Sequence, residues 1–216
     1  KSVLGYVDTE HYTYGELFNE INANTGGINC GVEVFDRADS TEEFQAMFSV
    51  RGKALYTKMD FLFKMIGEIL NSSKLEDTKR LYEIVASVKS RAQVNLTGAG
   101  HSTAVLRAAA YSSPMAAFQD EMAGIGYYQF IEKLEKDFEQ RKEETVEELC
   151  KLMKKILRPE NFMISYTGER ESLETVQKLA GTVKAGLGTE PVEKSEEKLT
   201  CTKKNEGFKT SGQVQY

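Results

Sequence analysis

The periodicity of the chain changes abruptly at Thr25-Gly26-Gly27. Before this triplet, Leu17, Phe18 and Ile21 recur at helical spacing; after it, Ile28, Cys30, Val32 and Val34 alternate with smaller or polar residues. The first pattern predicts a helix over about residues 13–23 and the second a strand over 28–35. Glycine takes up the left-handed conformation that closes a helix at little steric cost, so the helix is expected to end at Gly26-Gly27 and the chain to reverse sharply there. The polar run Asp36 to Thr41 reads as a loop, and Phe44, Ala46, Phe48 and Val50 form one face of a second strand. The two strands make an antiparallel hairpin.

From Lys53 onward the pattern is helical. Leu55, Met59, Leu62, Ile66, Ile69 and Leu70 form a stripe wide enough to lie on a sheet. A second helix follows from about Leu75 and stops near Gly98-Ala99-Gly100, and another starts at Pro114, whose ring suits a first turn. Its apolar stripe shifts after Gly124 and Gly126. A helix over 143–157 carries Val146, Leu149, Cys150, Met153, Ile156 and Leu157 at the 3.6 period, with glutamates at its positive end and lysines at its negative end. Pro159 ends it, Phe162 to Thr167 reads as a third strand, and Leu173, Val176, Ala180 and Val183 mark a last helix. This order predicts an α+β fold, an antiparallel sheet with helices packed on it, and not the strict alternation of a doubly wound sheet. The packed region is expected over residues 1–185, a linker over 186–207, and the opening strand of a following unit over 208–216.

A net charge of −5 without a concentrated Lys/Arg stripe argues against a nucleic-acid surface. No apolar run reaches the roughly 18 residues of a membrane span. Cys30, Cys150 and Cys201 are odd in number and far apart, which points to reduced thiols in a reducing compartment, the cytoplasm or alternatively the mitochondrial matrix or another reducing compartment. The chain starts at Lys-Ser-Val-Leu without an initiator methionine and closes on the alternating Gly-Gln-Val-Gln-Tyr, so both ends are expected to be cut from a longer protein.

Self-sufficient catalytic chemistry is not visible. Gly100-His101-Ser102-Thr103-Ala104 comes within one residue of the G-x-S-x-G elbow of serine hydrolases. That elbow needs a strand before its serine and a base later in the chain; here a helix precedes Ser102 and no histidine follows His101. Gly98-Ala99-Gly100 lacks the Lys-Ser/Thr pair of a nucleotide loop. The two histidines, His11 and His101, offer no zinc-ligand spacing. Glu16 and Glu20 lie four apart as on a solvated helix face, and no catalytic or metal-binding residue is assigned.

Five stretches in order carry a resemblance: "LGYVDTEHYTYGELFNEINANTGGI", "FSVRGKAL", "GAGHSTAVLRAA", "EMAGIGYYQF" and "RPENFMISYTGE". Their order and spacing resemble the third repeat of the presequence-peptidase branch of the insulinase/pitrilysin zinc metallopeptidases, over nearly the whole chain. The resemblance implies four related α/β repeats, set as two halves of a clamshell around a closed peptide-binding chamber. It places the zinc helix, an H-x-x-E-H pattern, in the first repeat, and a substrate-contacting arginine and tyrosine in the fourth. This sequence has Lys1 near the slot of a ligand histidine, so the resemblance implies no cofactor here and zinc in the parent protein. Thr25, Gly26 and Gly27, with Gly100 and His101, are then structural motif residues in a wall of the chamber. The implied partners are the remaining repeats of the same polypeptide and unstructured peptide substrates, with an exposed sheet edge able to pair with a second copy. The competing reading is a non-enzymatic scaffold or binding module of the same fold.

Overall fold

The computed structural model describes residues 1–192, 199 and 201–209, apart from the side chains of residues 41 and 42. Its elements, in chain order, are α1 (Tyr14–Asn24), β1 (Ile28–Arg37), β2 (Ser40–Gly52), α2 (Met59–Asn71), α3 (Thr78–Gly98), α4 (Gly100–Ala109), α5 (Pro114–Ala123), α6 (Ile125–Lys136), α7 (Phe138–Ile156) and α8 (Leu173–Ala185). The fold is α+β, with β1 and β2 paired as an antiparallel hairpin. Among the described residues no helix is long and apolar enough to cross a membrane.

Two compact units divide the chain. The first comprises Lys1–Val32, Phe48–Leu81 and Lys142–Lys194; the second comprises Glu33–Met47, Tyr82–Arg141 and Ser195–Tyr216. In the first, Leu17 and Ile21 of α1, Met65, Ile69 and Leu70 of α2, Val183 of α8 and Leu4 form a buried cluster. Ile28 and Cys30 of β1 and Phe48 and Val50 of β2 pack against it, so the helices cover one face of the hairpin as the alternation of those residues predicts. α1 begins at a capping box. Glu16 Oε2 accepts the Thr13 backbone N–H at 2.9 Å while Thr13 Oγ1 accepts the Glu16 N–H at 3.3 Å, satisfying two donors that the first helical turn leaves unpaired.

In the second unit, Ile84, Val85 and Val88 of α3 and Ile131 and Leu134 of α6 are buried. Phe138, 1% exposed, lies 5.5 Å ring to ring from Tyr82, and Phe44 of β2 lies 5.3 Å from Phe118 of α5. Burying a side chain the size of Phe138 contributes about 1.5–3 kcal/mol.

Two expectations need correction. Phe162 to Thr167 forms no ladder, and among the described residues the sheet has two strands. Phe162 packs on the first unit's core while Met163 and Ile164 stand exposed, so the apolar run does not build a sheet face and pairs with no strand among the described residues. The helix expected from Pro114 is two helices, because Gly124 ends α5 and serves as N-cap of α6. The break expected at Gly98-Ala99-Gly100 is present, with α3 ending at Gly98 and the ten-residue α4 starting at Gly100. Residues 208 and 209 carry no strand, and the rest of the strand expected over 208–216 lies outside the described residues.

Candidate functional site

Thr25, Gly26 and Gly27 make a turn whose parts differ from the expected one. α1 is closed by Thr25 in extended conformation, its backbone N–H donating to the Ile21 carbonyl at 2.9 Å and its hydroxyl donating to the same oxygen at 2.7 Å. The positive φ falls on Gly27, at +105°, and the Thr25 Oγ1 accepts the Gly27 N–H at 3.0 Å. Gly26 donates its N–H to the Lys53 carbonyl at 2.6 Å, and Gly27 accepts from the Lys53 N–H at 3.3 Å. A Cβ on Gly26 would come within 2.5 Å of Lys53 Cε. The glycine pair therefore clamps the start of β1 to the chain leaving β2, and a threonine closes the helix.

Gly100 and His101 lie in the first turn of α4, with Ala99 as N-cap. His101 and Ser102 are exposed. α3 ends at Gly98, so Ser102 sits on a helix entered from a helix and not on a strand-to-helix elbow. His11 lies in the first unit. Its backbone N–H donates to Glu68 Oε1 at 3.1 Å, and its Nδ1 is 3.0 Å from Glu68 Oε2. Burial acts to raise the Glu68 carboxyl, but bonds from Thr9, the His11 amide and the His11 ring together outweigh it and hold the group below the usual glutamate range. Among the described residues no group of three or more His, Cys, Asp or Glu is placed to hold a metal ion. The three cysteines are unpaired, and burial pushes the Cys30 thiol up, away from reactivity.

The most developed polar site in the structure was invisible to local pattern. It is built on Arg107 of α4, in the second unit, whose side chain is 14% exposed. Nη1 donates to Asp120 Oδ2 of α5 at 2.6 Å. Nε and Nη2 form a fork on the Glu206 carboxylate, at 2.8 Å to Oε2 and 3.0 Å to Oε1. The Tyr111 hydroxyl donates to Glu206 Oε2 at 2.8 Å. The guanidinium carbon lies 5.9 Å from the Tyr111 ring centroid and 5.8 Å from that of Phe208.

Asp120, 1% exposed, anchors this cradle from beneath. Its Oδ1 accepts the Ile125 N–H and its Oδ2 the Gly126 N–H, both at 3.0 Å, so one buried carboxylate satisfies the first turn of α6 and neutralises Arg107. The close approach explains the spacing Gly124-Ile125-Gly126. A Cβ on Gly124 would lie 2.3 Å from Asp120 Oδ1, and one on Gly126 would lie 2.8 Å from Asp120 Oδ2. Hydrogen bonding and charge from Arg107 drop the Glu206 carboxyl to about 2, and the Glu206 bond leads the effects that raise Arg107. An acid four residues before a glycine that opens a helix was the available signal for Asp120. Glu206, 99 residues from Arg107, had none.

With this geometry established, comparison with known proteins places the chain. The family model for the associated region of peptidases of group M-16C matches residues 1–134. Protein HypA of Clostridium perfringens is 31% identical over 99% of this chain and 22% of its own length. The mitochondrial presequence protease of Yarrowia lipolytica is 29% identical over 65% of this chain and 14% of its own length. Presequence protease 1, chloroplastic/mitochondrial, of Arabidopsis thaliana is 25% identical over 79% and 16%. The chain thus belongs to the peptidase-associated family, a non-catalytic region of presequence-protease-type peptidases. It spans about a fifth or less of the length of these relatives.

Proposed function

We propose that this chain is a non-catalytic α/β repeat over residues 1–185, followed by a linker over 186–207 that leads towards a further repeat. In this reading it forms part of the wall of the peptide-binding chamber of a zinc metalloendopeptidase that degrades short unstructured peptides. The observation that carries it is the match to Protein HypA over 99% of this chain but 22% of that protein, together with the match of residues 1–134 to a peptidase-associated family. Zinc and its ligands belong, on this reading, to residues outside this chain. Thr25, Gly26, Gly27, Gly100 and His101 serve architecture: the first three clamp the hairpin to its flanks, and the last two start α4. The presequence proteases are named as mitochondrial or chloroplastic, in keeping with a reducing organelle compartment here. The open edges of the hairpin suit a neighbouring repeat or a second copy.

The test divides the parent protein. The remaining repeats, expressed without this region, are expected to cleave an unstructured fluorogenic peptide poorly, to co-elute with this chain on size exclusion, and to regain cleavage when it is added. Full cleavage without the region, together with no co-elution, would overturn the proposal.

A further inference from the structure

We propose that the Arg107–Tyr111 cradle is a binding site for an acidic side chain of an extended peptide, held shut in this structure by the chain's own Glu206. The inference rests on how the receptor and its occupant are built. The receptor is preorganised: Arg107 is held by the buried carboxylate of Asp120, which is itself fixed by two backbone N–H groups of α6. Nothing in that support comes from the segment that occupies the cradle. The occupant is of a different kind. Residues 201–209 carry no helix or strand, and residues 202–209 are exposed. Within this segment Glu206 buries its side chain to 20% exposure and Phe208 sets its ring by the guanidinium.

A bidentate fork on a carboxylate, a hydroxyl donating to the same oxygen and an aromatic ring beside the cation are the contacts by which an arginine recognises a peptide carboxylate. The cis segment defines the chemical class that fits: an acidic residue followed two positions later by an aromatic one, Glu206-Gly207-Phe208, in chain without helix or strand. Withdrawing Glu206 would free Nε and Nη2 of Arg107 and the Tyr111 hydroxyl together, three donors already aimed at one carboxylate, so an incoming carboxylate finds the same fork. Because the segment is tethered, it competes at an effective concentration on the order of millimolar, so a peptide in trans binds weakly until the segment is loosened.

The experiment uses the whole chain, 15N-labelled, and a blocked hexapeptide Lys-Asn-Glu-Gly-Phe-Lys, which copies residues 204–209. Binding is read on the Arg107 Nε–H resonance and the α4 amides. Glu206→Gln, which removes the competing charge without altering the cradle, is expected to bind the probe at least about tenfold more tightly than the wild type. Phe208→Ala, which loosens the segment and leaves every cradle charge in place, is expected to move the affinity in the same direction. A probe with glutamine for glutamate should lose most of its affinity for E206Q, and adding Arg107→Lys or Tyr111→Phe to E206Q should weaken binding of the original probe. Equal affinity of wild type, E206Q and F208A, or equal binding of the glutamate and glutamine probes, would overturn the site. No peptidase activity enters this measurement, so its failure and that of the proposed function are separable.

Discussion

Replacing Gly124 by alanine probes the junction on which the second unit's polar site depends. The added methyl would lie 2.3 Å from Asp120 Oδ1 and 3.0 Å from Asp120 Cα and Cγ, well inside contact distance. Backbone φ at Gly124 is −96°, open to any L residue, so the cost is one of space and not of conformation. Relief requires the Asp120 carboxylate to turn away from the Ile125 and Gly126 N–H groups, each 3.0 Å from it. Asp120 is 1% exposed, so water does not replace what it loses. Losing one of these charged hydrogen bonds costs roughly 1.5–3 kcal/mol and over-packing roughly 1–3 kcal/mol, which together put G124A at about 2.5–6 kcal/mol. Urea unfolding followed by circular dichroism measures the loss, and hydrogen exchange at Ile125 and Gly126 locates it in the first turn of α6. A double-mutant cycle is the sharper test. In an Asp120→Ala background the methyl has no carboxylate to displace, and its cost should fall to about 1 kcal/mol or less, a coupling that contacting residues show and distant ones do not. A G124A cost below about 0.5 kcal/mol, or strict additivity with D120A, would refute the account.

Gly27→Ala places a Cβ at φ +105° and is expected to destabilise the first unit by about 1–2 kcal/mol. Gly26→Ala should cost less, because the nearest obstruction, Lys53 Cε at 2.5 Å, is the mobile end of a long side chain; equal unfolding midpoints for the two variants would contradict this. The Glu206 carboxyl, held at about 2 by Arg107, is a depressed acid. Its contribution to docking residues 201–209 is therefore fully present above about pH 4.5, the usual glutamate value, and is lost as pH falls towards 2. A carbon-detected NMR titration should put the Glu206 midpoint near 2, with the Phe208 ring signals moving alongside; a midpoint near 4.5 would mean that the fork with Arg107 does not persist in solution.

Much of the chain's local structure was legible because it is encoded over short distances. Thr13-x-x-Glu16 announces α1, and the alternation from Ile28 and from Phe44 announces the hairpin. The charge gradient along 143–157 marks α7, although the helix starts earlier, at Phe138, where burial against Tyr82 overrides the local signal. The run Phe162 to Thr167 misled because apolar alternation reports extended chain and cannot report whether a second strand stands beside it. Gly26-Gly27 was recognised as a turn, but the division of labour among Thr25, Gly26 and Gly27 depends on Lys53, a residue brought there by the hairpin.

Family membership too was readable from sequence, carried by the order and spacing of several stretches along the chain, and the family model matches residues 1–134. Periodicity and capping determined the helices, the hairpin and the α+β class, because those signals act between residues a few positions apart. Only the tertiary structure decided that Arg107 meets Asp120 on one side and Glu206 on the other. A fork of hydrogen bonds between residues 99 positions apart leaves no periodic trace, and it forms only where the fold carries Glu206 back to α4.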